Sequence, residues 1–168
     1  NEIINGSHLL VAAGRVPNLE GLHLEKAGIE FTKRGITVDH GLRSVSNRRV
    51  YAAGDVAGGL QFTHVAGYHA GLIIRNALFR LPVKNRTDII PWVTYTDPEL
   101  AHVGLTEKDA RTQYGDSIKV LRWSFKENDR AQAEGKTKGL VKLVTTKKGK
   151  IIGCSIVCTN AGDLISMW

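Results

Sequence analysis

The stretch that most constrains the fold is Arg49-Val50-Tyr51-Ala52-Ala53-Gly54-Asp55-Val56-Ala57-Gly58-Gly59, followed at once by an apolar run with helical period. It reads as a short buried strand that ends in a carboxylate and glycines. A strand delivering Asp55 to its C-terminal edge, with a helix N-terminus a few residues further on, is how an open α/β sheet builds a cofactor crevice. The carboxylate accepts hydrogen bonds from sugar-type hydroxyls. The free backbone N–H groups of the helix face an anion or a carbonyl oxygen. A cofactor carrying both kinds of group is the expected guest.

The flanking sequence fits an α/β alternation. Residues 8–14 form an apolar run expected as a strand, broken by Arg15-Val16-Pro17-Asn18. Residues 19–27 are expected as a short helix that Gly28 terminates, and Lys33-Arg34-Gly35 as a turn. Residues 62–81 follow helical spacing, with Ala66, Ala70, Ile73 and Ala77 on one face and Pro82 as the stop. A polar connector over residues 82–88 is the expected domain boundary. Beyond it strands follow in series: residues 92–96, 100–103, 118–125, 139–145 and 150–158, the last two joined by Thr146-Lys147-Lys148-Gly149 as a hairpin. Thr106 is the expected N-cap of a helix over residues 107–114, and a helix begins near Asn160. Strands with a helix on one face describe an α+β domain.

Charge raises the question of nucleic acid, because 23 Lys and Arg against 16 Asp and Glu leave a formal charge of +7. The basic residues are scattered and lack interleaved stacking aromatics, so they read as solvated faces. No run of about 18 apolar residues that could span a membrane is present. The chain opens on Asn1 and stops at Trp168 inside an apolar run, and is expected to be an internal piece of a longer protein. Cys154 and Cys158 lie four apart on a β-branched run. On a strand this is about 13 Å, beyond the roughly 7 Å that a disulfide tolerates, so both are expected as reduced core thiols.

No catalytic set and no metal site can be assigned. His102 and Glu107 resemble an acid/base pair, but Glu107 falls in a first helical turn, where a carboxylate suits the dipole. His64 and His69, five apart on one helix, point to different faces and cannot share a metal. The glycines around Gly54 lack the spacing of a dinucleotide or phosphate loop.

The Asp55 strand stands between residues 10–18, Leu-Val-Ala-Ala-Gly-Arg-Val-Pro-Asn, and residues 91–107, Pro-Trp-Val-Thr-Tyr-Thr-Asp-Pro-Glu-Leu-Ala-His-Val-Gly-Leu-Thr-Glu. With these three motifs in order, the chain resembles the flavoprotein disulfide reductases, the class I pyridine nucleotide-disulfide oxidoreductases, and within them the dihydrolipoamide dehydrogenase and mercuric reductase branch. The resemblance implies an α/β plus α+β architecture. Residues 1–14 would be the tail of an NAD(P)-binding domain, 15–85 the C-terminal part of a Rossmann-type FAD-binding domain, and 88–168 a truncated antiparallel-sheet interface domain.

It further implies FAD and either NAD or NADP as cofactors, a homodimer formed through the interface domain, a disulfide or related acceptor, and a cytoplasmic location. No nucleic-acid or membrane partner is implied. Asp55, with Gly54 before it, matches the aspartate that hydrogen-bonds the FAD ribitol. Phe62 and Thr63 match positions whose backbone N–H groups face the flavin pyrimidine ring, and His64 matches a histidine of the lipoamide branch. The redox cysteine pair and the catalytic His and Glu would lie outside these residues. The alternative from another class is a non-catalytic dimerisation and FAD-domain fragment.

Overall fold

Lys33-Arg34 turns the chain between two short runs, so that β1 (Phe31–Thr32) pairs antiparallel with β2 (Gly35–Ile36), Phe31 opposite Ile36. This hairpin belongs to the first of two compact units, residues 1–85 and 86–168, in a computed structural model that describes residues 3–168. Gly35 sits at φ +133°, and a Cβ there would come within 2.7 Å of the Gly58 nitrogen and the Val56 carbonyl oxygen. Only glycine allows the hairpin tip to rest on that backbone. Leu24, Ile29, Ile36 and Ala52 are buried together as the small core of this unit, with Val50 and Val56 against them.

Several expectations for the first unit are corrected. Residues 8–14 form no strand; Leu9, Leu10 and Val11 are 88%, 87% and 77% exposed, because among the described residues no strand pairs with them. Residues 1 and 2 of the expected 1–14 tail lie outside the described residues. Residues 19–27 form successive turns rather than a helix. They end as a helix would: Gly28, at φ +64°, donates to the Glu25 carbonyl at 3.0 Å, and Ile29 to the Leu24 carbonyl at 2.9 Å.

The stretch expected as a strand over residues 50–55 is not one: residues 50–53 run extended, and the chain turns at Gly54. Ser44 donates to the Val50 carbonyl at 2.9 Å and Ala52 to the Leu42 carbonyl at 3.0 Å, so one edge alone is paired, and Arg43–Tyr51 is an isolated bridge. A 3-10 turn over Gly54–Ala57 follows. Then α1 spans Thr63–Ala77, shorter than the expected 62–81, since Arg80 adopts a left-handed φ of +55° before Pro82 is reached. The face it buries is Val65, His69 and Leu72, one residue round from the small-residue stripe.

The second unit is a five-stranded antiparallel sheet in the order β3-β4-β7-β6-β5, formed by β3 (Trp92–Thr94), β4 (Glu99–Gly104), β5 (Ile118–Ser124), β6 (Leu140–Thr146) and β7 (Ile151–Cys158). Helix α2 (Glu107–Tyr114) lies between β4 and β5, α3 (Asp129–Ala133) between β5 and β6, and α4 (Ala161–Leu164) after β7. The Thr106 hydroxyl oxygen accepts from the Asp109 N–H at 3.2 Å, the N-cap geometry that ends the chain's run out of β4. Such a cap contributes about 1 kcal/mol.

Alternation along the strands gives the sheet two apolar faces. Ala101, Cys154, Ile156 and Cys158 are buried under Ala161 and Ile165 on one. Ile118 and Val144 are buried under Ala110 of α2 on the other. Helices therefore cover both faces, where the sequence pattern suggested one.

Candidate functional site

The site residues gather where the paired edge of the first unit turns into α1. Gly54 is buried, with φ +69°, a left-handed conformation that a side chain resists and that a Cβ would compound by lying 3.0 Å from the Ala66 Cβ. The turn it makes throws Asp55 outward: its side chain is exposed and makes no hydrogen bond among the described residues, while its carbonyl accepts from the Gly58 N–H at 3.0 Å.

Phe62 is the N-cap residue of α1, extended at φ −130°, and no side chain caps the helix. Thr63 and His64, the first helical residues, are exposed, and the His64 ring stacks on Phe62 with centroids 5.3 Å apart at 9°. The first turn of a helix leaves its N–H groups without intrahelical acceptors, so an exposed carboxylate and an uncapped helix start belong to one run of the chain. This donor and acceptor set suits a ligand that combines hydroxyls with a carbonyl or an anionic ring.

Below that surface lies a residue that sequence reasoning passed over. His69 is 2% exposed, and its Nδ1 accepts the Gly54 N–H at 3.1 Å. Burial lowers its pKa from the ordinary 6.5, with the Asn85 side chain acting in the opposite direction. The signal was available: a polar residue on the Val65–Leu72 stripe of a helix has to find a partner.

The other sequence candidates do not form a second site. His102 is buried, with Nδ1 2.9 Å from the Ser155 hydroxyl and Nε2 2.9 Å from the Gly104 carbonyl. Glu107 instead binds Arg111 and Arg122, both at 3.0 Å, and lies 3.6 Å from Lys142. The Arg111 hydrogen bond is foremost in holding its carboxyl below the usual range. The second unit also holds a cavity of about 380 Å³ beside Gly104, Leu105, Tyr114 and Ile152, and it is lined by none of the candidate residues.

Cys154 and Cys158 are unpaired and buried, and burial pushes each thiol up to about 11, with the Glu99 charge adding to it at Cys158. At pH 8 a thiol of that pKa is about 0.1% thiolate, the reactive form. Iodoacetamide is therefore expected to label neither cysteine of the folded chain and both in guanidinium, as read by intact mass. Fast labelling of the folded chain would contradict the burial.

The geometry has counterparts among known proteins. Residues 1–70 match the family model described as pyridine nucleotide-disulphide oxidoreductase, and residues 90–168 match that family's dimerisation domain. The chain belongs to the pyridine nucleotide-disulphide oxidoreductase family. Mercuric reductase from Staphylococcus aureus is 41% identical over 165 residues, covering 98% of this chain and 30% of that protein. Dihydrolipoyl dehydrogenase from Bacillus subtilis is 38% identical over 159 residues, 94% of this chain and 34% of that protein.

Among solved structures, LpdA from Mycobacterium tuberculosis superposes with a TM-score of 0.87 at 30% identity, covering 97% of this chain and 36% of that one. The HOCl-induced flavoprotein disulfide reductase RclA from Escherichia coli gives 0.80 at 31% identity, covering 93% and 36%. The chain thus spans about a third of the length of these relatives.

Proposed function

We propose that the protein containing this chain is an FAD-dependent oxidoreductase that takes electrons from NADH or NADPH and delivers them through FAD to a disulfide or a related acceptor. Mercuric ion and lipoamide, the disulfide form of the lipoyl group, are the acceptor classes that the relatives' names suggest. The observation that carries the reading is the exposed Asp55 carboxylate on the left-handed Gly54 turn, followed by the uncapped start of α1.

In this reading Asp55 accepts hydrogen bonds from the ribitol hydroxyls. The N–H groups of Phe62 and Thr63 meet the polar edge of the pyrimidine ring, where the helix dipole favours negative charge. His64 shields that edge from its stack on Phe62. When bound, FAD supplies the two-electron step between nicotinamide and acceptor. Residues 15–85 supply half of its pocket, 1–14 the end of the nicotinamide domain, and 88–168 the dimer-forming surface of a homodimer. The unpaired, unreactive thiols support a cytoplasmic location, and they cannot serve as the redox pair. The chain by itself is therefore inactive.

The test is to purify the full-length protein that carries these residues and record its visible spectrum before and after anaerobic NADH and NADPH. A yellow protein that one of them bleaches is the expected result. A colourless protein that takes up no added FAD would overturn the reading.

A further inference from the structure

We propose that His69 is the positioning residue of the flavin crevice: as a neutral imidazole it fixes the Gly54 turn from beneath, and so sets where Asp55 stands. The inference rests on the flavin reading of Asp55 and extends it to a residue that touches no cofactor.

Three observations carry it. His69 is 2% exposed, so its ring cannot exchange partners with water. Its Nδ1 lies 3.1 Å from the Gly54 nitrogen, and Gly54 can only donate, so Nδ1 holds a lone pair and the proton resides on Nε2. The His69 Nε2 and the Asn85 Oδ1 are the two buried side-chain polar atoms without a hydrogen-bond partner among the described residues. One is a donor that needs an acceptor, and the other an acceptor that needs a donor.

Asn85 is itself anchored, since its N–H donates to the His40 carbonyl at 2.7 Å. The imidazole is hydrogen-bonded to Gly54, one residue before the exposed carboxylate, and the Asn85 side chain lies near enough to act on its proton, with no hydrogen bond joining the two side chains. Around the imidazole stand the Gly54 amide, the Asn85 amide and the Tyr68 ring, whose centroid is 6.0 Å away.

Protonation of Nδ1 would set N–H against N–H and open the Gly54 bond. Burial lowers the His69 pKa from 6.5. A base whose pKa is depressed in the native arrangement binds protons more readily once that arrangement opens, so the arrangement weakens as pH falls below 6.5 and further as it passes the native value. Above 6.5 it is at full strength.

The experiment compares FAD affinity of the full-length flavoprotein and its His69→Asn, His69→Leu and His69→Gln variants at pH 8 and pH 5.5, by flavin fluorescence on reconstitution. An asparagine amide reaches the Nδ1 position and does not titrate; glutamine reaches the Nε2 position instead. The wild type is expected to bind FAD more weakly at pH 5.5 than at pH 8, by more than any change that His69→Asn shows over the same range. His69→Asn should bind within about threefold of the pH 8 wild type at both values, and His69→Leu and His69→Gln about tenfold more weakly at both, the loss of one buried hydrogen bond.

Equal affinity of wild type and His69→Leu, or the same acid sensitivity in His69→Asn as in wild type, overturns the proposal. If His69→Leu does not fold, the pH profile of His69→Asn decides alone. A wild type without flavin at pH 8 instead removes the FAD reading on which the proposal stands.

Discussion

Gly153→Ala should destabilise the five-stranded unit by about 4 kcal/mol, near the top of what a single substitution does. A Cβ at Gly153 would fall inside the van der Waals envelope of the Leu105 carbonyl oxygen, with the Leu105 nitrogen 3.1 Å away. The neighbour is backbone, held in place by the Leu105 N–H donating to the Ile152 carbonyl at 2.8 Å, so it cannot swing aside as a side chain would. Gly149→Ala, in the turn between β6 and β7, is the control: its Cβ would meet nothing within 4 Å, although φ is +86°, and it should cost about 1–2 kcal/mol in left-handed strain. Guanidinium denaturation followed by tryptophan fluorescence measures both, because the three tryptophans, Trp92, Trp123 and Trp168, all lie in the second unit. Equal midpoints for the two variants would show that β7 and the chain leaving β4 can part without cost.

Asp55→Ala in the full-length flavoprotein should weaken FAD binding by roughly 10- to 100-fold, the range for a lost hydrogen bond to a charged group. It should leave thermal unfolding of the apoprotein unchanged, because the carboxylate is exposed and makes no hydrogen bond among the described residues. The pair of measurements separates a ligand contact from a structural one. Unchanged flavin occupancy would return Asp55 to the status of a surface turn residue. A fall in apoprotein stability would mean that it braces the turn itself.

The second unit was legible because its signals are local. Thr106 caps where the spacing put it, α2 occupies the expected residues, and the period-two runs became β4 to β7 within one residue of the expected bounds. In the first unit the same kind of signal misled. Leu9, Leu10 and Val11 have strand composition, but composition states only that a segment suits burial, not that a neighbour is present to pair with it. The extended residues 50–53 show the same limit, with one edge paired and the other not.

On α1 the stripe of alanines and the stripe of Val65, His69 and Leu72 differ by about 100° of rotation. The larger side chains won, since burying them removes more apolar area from water. His69 was passed over because a helix histidine was weighed only as a metal ligand. The short α3 was missed because five residues around an Asn128 cap carry too little periodicity to stand out.

The hairpin of β1 and β2 has a different kind of consequence, one for sequence drift. Lys33 and Arg34 at its tip are exposed and free to vary, whereas Gly35 presses on the backbone of Val56 and Gly58, beside the Asp55 turn. Evolution can therefore repaint the tip but cannot lengthen it. One inserted residue would shift the Phe31–Ile36 register, carry a side chain into the space that only hydrogen now fills, and move the carboxylate that the turn presents.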